Sequence, residues 1–359
     1  LQISFVGYES QEVSVKGRSM LEVCLKENIL LLDHVIVTAL GLEKKESSLA
    51  YAVQKVRGEE LNRVKEVNMI TALAGKAAGV QVSKNSSGMG GSAKVSIRGV
   101  RSVAGDNQPL YVIDGVPMLN STSEQAYSAI GGTANAGNRD GGDGISNLNP
   151  EDVESISILK GAPAAALYGS QAANGVILIT TKKGNTVGRR DIHFSTGLTF
   201  EKAFSLPEMQ NSYGVSDVTD SWGEKENLTV YDNLGDFFRT GLTSITSVSV
   251  NSGNDKLQTY FSYANTTGRG ILNENKLSKH NINLRETAVL FNSRLKLDGN
   301  VNVMKQTVKN KPVSGGFYMN PLVGLYRFPR GEGLSYYKEN YERYDEDRKL
   351  NTQNWHTFT

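Results

Sequence analysis

From residue 188 onward the chain falls into long runs in which every second side chain is apolar. Ile192, Phe194, Leu198 and Phe200 alternate with His193, Ser195, Gly197 and Thr199. Thr246, Val248 and Val250 alternate with Ser247, Ser249 and Asn251. Leu257, Thr259, Phe261 and Tyr263 alternate with Gln258, Tyr260 and Ser262, and Ile282 and Leu284 lie between Asn281, Asn283 and Arg285. Leu295, Leu297, Gly299, Val301 and Val303 oppose Arg294, Lys296, Asp298, Asn300 and Asn302. A period of two puts each set on one face of a strand. The runs predict strands about as long as the 9–11 residues that cross a bilayer at a tilt. Two architectures give this pattern: a transmembrane barrel with lipid outside and a polar lumen inside, and a soluble sheet buried on one face. Periodicity alone leaves both open.

Composition narrows the classes. A formal net charge of +2 over 359 residues argues against a nucleic-acid partner, which needs a basic domain. The longest apolar stretch, Ile29 to Leu32, falls far short of the about 18 residues of a membrane helix, which does not exclude a strand barrel. Gly 37 against Pro 8 favours tight turns and close backbone contacts over long helices. The single cysteine, Cys24, excludes an internal disulfide and reads as a small buried side chain. The chain opens without Met, already in strand rhythm at Leu1, Ile3 and Phe5, so its start reads as a cut rather than a natural terminus.

Four segments follow. Residues 1–32 read as the end of a small all-β domain. Residues 33–57 join a β-branched stretch, Asp33 to Leu40, to a charged linker. That stretch suits pairing with another protein's sheet edge, and equally an ordinary strand of the preceding domain. Residues 58–185 read as a mixed α/β unit. Small residues from Asn68 to Ala78 predict a helix, and Pro150-Glu151-Asp152 predicts a helix start. Val95 and Ile97, Leu110 to Ile113, Ile156 to Leu159 and Val176 to Thr181 predict strands, with a short helix over Ala162 to Tyr168. Asp114-Gly115 predicts a hairpin turn. Residues 186–359 hold the alternating strands.

The stretches NMITALAGKAAGVQV, VSIRGVRS, DNQPLYVIDGVP and NPEDVESISILKGAPAAALYGSQAANGVILITTKKG, within residues 68–184, carry a resemblance. They resemble the plug domain of the SusC/RagA family of TonB-dependent outer-membrane transporters of Bacteroidetes. Two departures are Gln171 where the family commonly has a basic residue, and Gly161 where it often has an acidic one. The resemblance implies a mixed α/β plug inside an antiparallel transmembrane β-barrel. Residues 1–32 would then end a carboxypeptidase-regulatory-like domain, and residues 33–40 would be the TonB-box region. Family barrels have about 22 strands, so five candidates lead us to expect a chain that stops inside the barrel at Thr359.

The resemblance also implies roles. Val35, Ile36, Val37, Thr38 and Ala39 are the expected coupling residues for TonB. Arg98 is the expected plug latch onto carboxylates, with Glu154 as a partner, against the reading of Arg98 as a solvated surface arginine. The expected partners are TonB, a SusD-like lipoprotein and outer-membrane lipid. The expected cargo is an oligosaccharide, or next an oligopeptide, and the pairs with the lipoprotein are expected to dimerise. The plug and N-terminal region are expected to face the periplasm.

Other motifs point to no chemistry. Asp140 and Asp143 sit in a Gly-rich loop that could cradle calcium but lacks the EF-hand pattern, so a plain loop is the stronger reading. His34, His193, His280 and His356 are scattered without metal-ligand spacing. No phosphate loop or nucleophile elbow occurs, so neither a cofactor nor an enzyme is expected. The aromatics Phe317, Tyr318, Tyr326, Phe328, Tyr336, Tyr337, Tyr341 and Tyr344 suit stacking on a cargo but read better as girdle or loop packing. Two rivals remain: a passive outer-membrane receptor or adhesin, and a soluble β-rich binding protein.

Overall fold

The protein is described from a computed structural model, which places residues 2–3, 11–12, 23, 35–37, 43–45, 53–84, 88–102, 107–118, 120, 140, 142–186, 188–215, 222–312, 320–335, 342–344 and 350–353. Two short hairpins come first: β1 (Gln2–Ile3) pairs with β2 (Gln11–Glu12), and β3 (Val35–Val37) pairs with β4 (Glu43–Lys45).

The mixed unit is built on a five-stranded sheet. Its strands are β5 (Val53–Arg57), β8 (Leu110–Ile113), β9 (Val116–Met118), β10 (Val153–Leu159) and β11 (Val176–Thr181), in the order β5-β10-β11-β8-β9. Only the β11–β8 pair is parallel. The hairpin β6 (Val80–Lys84) and β7 (Ala93–Ile97) packs beside it. The helices are α1 (Gly58–Asn62) and α2 (Ala162–Tyr168).

The central strands are buried on both faces, which is why they read as continuous apolar runs. Ile156, Ile158, Ile177 and Ile179 enter one core with Leu61, Met69, Ile70, Leu73, Tyr111 and Ile145. Leu159, Val176 and Leu178 enter a second core with Val112 and Ala164. At about 1.5–3 kcal/mol per fully buried large apolar side chain, these cores dominate the stability of the unit.

The hairpin turn stands where expected, with Asp114 at φ 47° and Gly115 at φ 89°, the paired positive values of a type I′ turn. Two expected helices do not form. Asn68 to Ala78 holds only a 3-10 turn at Thr71–Leu73, because Gly75 and Gly79 take left-handed φ values of 75° and 70° that end any helix. Pro150–Asp152 is likewise a single 3-10 turn, capped by Asn149, and leads straight into β10.

The five alternating runs form one antiparallel meander: β12 (Arg190–Glu201), β13 (Gly241–Gly253), β14 (Leu257–Arg269), β15 (Lys276–Leu290) and β16 (Leu295–Lys309). The strands are 12–15 residues long. Register aligns their outward residues in rows. One row is Phe194, Val248, Tyr263, Ile282 and Val303, and the next is Ile192, Val250, Phe261, Leu284 and Val301. Most of these side chains are exposed, including Ile192, Phe194, Phe261, Ile282, Leu284 and Val301. The opposite face is polar and buried against the mixed unit, with Ser262, Lys279, Asn281, Asn283 and Arg285 among its members. A soluble sheet would bury the apolar face; this one buries the polar face and leaves a contiguous apolar surface open, as lipid contact requires. The sheet is an open arc, an incomplete barrel wall around a mixed α/β plug. No helix among the described residues is long and apolar enough to cross a membrane.

Long connections leave one end of the arc, at residues 202–240 and after 310, and short turns close the other. Helices α3 (Asn233–Phe237) and α4 (Pro321–Arg327) share a small core on the long-loop side through Leu234, Leu325, Phe328 and Leu334. Phe328 is therefore a packing residue. The pairs β17 (Glu342–Tyr344) and β18 (Leu350–Gln353) complete the elements.

Candidate functional site at the plug and wall interface

The polar face of the wall meets the plug through a chain of charged and hydrogen-bonded contacts. Arg285, inward on β15, sits at its centre with 5% of its side chain exposed. Its Nε and Nη2 donate to Asp298 Oδ1 and Oδ2 on β16 at 2.9 and 2.8 Å, a bidentate pair within the wall. Its Nη1 donates across to the plug, to Asp114 Oδ2 at 2.9 Å and Thr181 Oγ1 at 2.6 Å. The hairpin turn aims Asp114 at this point, where it also accepts from the Thr181 backbone N–H at 2.9 Å and hydroxyl at 2.5 Å. One guanidinium thus ties two carboxylates, one on each body. Lys183 adds a 3.9 Å contact to Asp298.

Further contacts run along β14 and β15. Tyr260 donates its hydroxyl to Asp152 Oδ1 at 3.0 Å. Asp152 is fully buried, and burial pushes its carboxyl above the ordinary range, against the hydrogen bond from Tyr260. Lys279 Nζ donates to the Ser146 carbonyl at 2.5 Å, and Asn281 Nδ2 to the Asn147 carbonyl at 2.7 Å. Lys311, just past β16, donates to the Gly90 carbonyl at 2.9 Å; burial lowers its ammonium's pKa, with Asp140 and Asp143 opposing the shift. Near β12, Lys65 pairs with Glu151 and donates to Ser195 Oγ at 2.6 Å. Burial, and then the charge of Lys182, lowers the pKa of Lys65. Wall glycines make room for plug side chains: a Cβ on Gly197 would stand 2.5 Å from Lys65 Cγ, and one on Gly268 2.7 Å from Met89 Cε. Ser262 Oγ and both amide atoms of Asn283 are buried in this seam without a protein hydrogen bond.

The expected site residues are distributed differently. Val35, Ile36 and Val37 form strand β3, whereas Thr38 and Ala39 lie outside the described residues. Arg98 takes a left-handed φ of 61° and lies against Gly161, its Nη1 3.0 Å from where a Cβ would stand. Neither Arg98 nor the exposed Glu154 makes an ion pair among the described residues. Asp140 and Asp143, expected in a plain loop, have their carboxylate oxygens engaged by the protein. Asp140 accepts from the N–H of Ser92 and Gly142, and Asp143 from Ala93, Ser146 and the Asn68 amide. These oxygens are engaged in pinning the start of β7 and capping a turn, and the described residues hold no cluster of metal-ligating side chains. Sequence reasoning missed Arg285 altogether. The available signal was an arginine on a polar strand face between Asn283 and Thr287.

A cavity of about 310 Å³ opens between plug and wall at the long-loop end, with Glu66, Lys84 and Ser92 on the plug side and Glu201, Asn275 and Gln306 on the wall side.

Comparison with known proteins agrees with this architecture. Residues 45–176 match the TonB-dependent Receptor Plug Domain. The chain is 31% identical over 328 residues to the TonB-dependent receptor SusC of Bacteroides thetaiotaomicron, covering 88% of this chain and 30% of that protein. It is 34% identical over 228 residues to the TonB-dependent receptor P39 of Formosa agariphila, covering 64% of this chain and 19% of the other. Its fold is similar to that in the open-open state of the RagAB peptide importer, with a TM-score of 0.62 and 24% identity over 83% of this chain and 35% of that one. The chain thus spans about a third or less of the length of these relatives. A polar-lined arc wrapped around a plug of this sequence places the chain in the SusC/RagA family of TonB-dependent outer-membrane transporters, of which it carries the plug and part of the barrel.

Proposed function

We propose that the chain gates the TonB-dependent import of a large nutrient across the outer membrane, with a SusD-like lipoprotein at the extracellular mouth. The observation that supports this best is the character of the seam. The plug has dry cores of its own, yet meets the wall through ion pairs and hydrogen bonds, so it can part from the wall without unfolding. Arg285 and Asp114 take the latch role here in preference to Arg98 and Glu154. A pull through the linker would reach the plug from Val35, Ile36, Val37, Thr38 and Ala39, because a β-prone segment can add to a partner's sheet edge. The long-loop end faces outward and the short turns face the periplasm, by the general rule for bacterial barrels. Oligosaccharide is the first cargo class and oligopeptide the second.

Deleting residues 33–40 from the intact transporter and measuring uptake of labelled oligosaccharides and oligopeptides tests the reading. Import should fall to background while surface binding persists. Unchanged uptake would favour a passive receptor. Mass spectrometry of the copurifying lipoprotein and bound ligand checks partner and cargo.

A further inference from the structure

The outward face of the wall changes character along its height. From Leu290 and Leu295 up to Tyr263, Ile282 and Val303 it is mostly apolar, broken near Thr259 and Glu286. The next rows are polar, with Asn265, His280 and Lys305, then Thr267, Ser278 and Thr307. The uppermost row sets Arg269 beside Lys276 and Lys276 beside Lys309 as direct cross-strand partners. Like charges placed directly opposite destabilise a sheet, so three neighbouring cations need an explanation. Among the described residues only Glu274 pairs with this row, through Lys276 at 2.6 Å. A shallow groove of about 460 Å³ runs through the same place, its wall formed by Leu242, Ser244, Thr267, Ser278 and Thr307 between the cations.

Height fits a membrane surface. The basic row lies six residues above the Tyr263 and Ile282 row. That is about 20 Å along the strand at ~3.4 Å per residue, or about 14 Å of height at a ~45° tilt. The Tyr263 and Ile282 row is the upper edge of the apolar stretch, so the basic row stands above that edge, on the headgroup side of the band.

We propose that Arg269, Lys276 and Lys309 bind the phosphate of a phosphorylated glycolipid of the outer leaflet, with an acyl chain lying in the groove below. Arginine takes phosphate oxygens bidentately and lysine as a point charge. Anion binding would relieve the repulsion that the row otherwise carries. Glu274 competes for Lys276 from the adjoining turn. The inference rests on the wall facing lipid, as proposed above.

The test uses the intact transporter, purified in mild detergent and examined by native mass spectrometry while lipid A is titrated in. Wild type should bind lipid A at least tenfold more tightly than the same lipid after phosphatase treatment. The triple variant R269A/K276A/K309A should lose that preference, while removal of charge at the opposite rim, Lys256→Ala, should leave it intact. Equal binding of the phosphorylated and dephosphorylated lipids by wild type would overturn the proposal without recourse to any variant. So would a folded triple variant that keeps the preference. A wild-type protein that stays soluble and monodisperse without detergent would instead refute the lipid-facing wall itself.

Discussion

The inside of the plug and the seam around it are built from opposite materials. Inside, Ile156, Ile158, Ile177 and Ile179 interlock with Met69, Ile70 and Tyr111, almost wholly out of water. At the seam, Arg285, Asp114, Tyr260, Asp152, Lys279 and Asn281 meet through individual polar contacts. Apolar burial is cooperative and expensive to undo piecemeal. A hydrogen bond nets only about 1 kcal/mol because water replaces it when the partners part. The buried polar atoms of Ser262 and Asn283 that find no protein partner subtract from the seam further. The contrast teaches that the plug is held together more firmly than it is held in place, which a removable stopper requires.

The contrast can be broken from either side. Ile158→Ala should have the largest effect, about 2–5 kcal/mol by cavity formation. It should lower the denaturant midpoint of the plug while leaving seam contacts, read by hydrogen exchange at β14 and β15, near wild type. Arg285→Ala should cost about 3 kcal/mol, because it leaves Asp114 without its cation and Asp298 with only the 3.9 Å contact to Lys183. Its signature is the reverse: early protease access to the β8–β9 turn, with the plug core still protected. If both variants loosen core and seam alike, the two regions are one cooperative unit and the comparison fails. Tyr260→Phe should cost about 1 kcal/mol and increase exchange around Pro150–Asp152 alone.

Acidity offers the smallest and most local probe. Burial holds the Asp152 carboxyl above its ordinary value of 3.8. The folded state therefore takes up a proton at a pH where the unfolded chain has released it, so stability should fall as pH rises through that window. Urea midpoints from about pH 4, near the ordinary Asp value, up to about pH 7 should show this decline. Asp152→Asn should flatten it while still accepting the Tyr260 hydroxyl. A slope that survives the substitution would assign the effect to another group.

Much of this was legible in the sequence. Alternation announced all five wall strands, since a period of two survives in any strand with two different environments. The Asp114-Gly115 turn was legible because its chemistry is local. The Arg285–Asp114 contact was not: the two residues lie 171 positions apart, and only strand register brings them together. The expected helix over Asn68 to Ala78 failed because composition does not reveal which glycines turn left-handed, as Gly75 and Gly79 do. The plain-loop reading of Asp140 and Asp143 left their task unseen, because sequence shows carboxylates but not the backbone N–H groups that occupy them.

The claim that the plug must part from the wall can be tested with one cross-link. A Cβ on Gly197 would lie 3.2 Å from Lys65 Cβ, close to the about 3.5–4.5 Å spacing of a disulfide. In a Cys24→Ser background, the pair Lys65→Cys and Gly197→Cys would tie plug to wall when oxidised. Nutrient uptake should stop on oxidation and return on reduction, with surface binding unchanged throughout. Uptake at the reduced rate by a fully oxidised population would contradict the account.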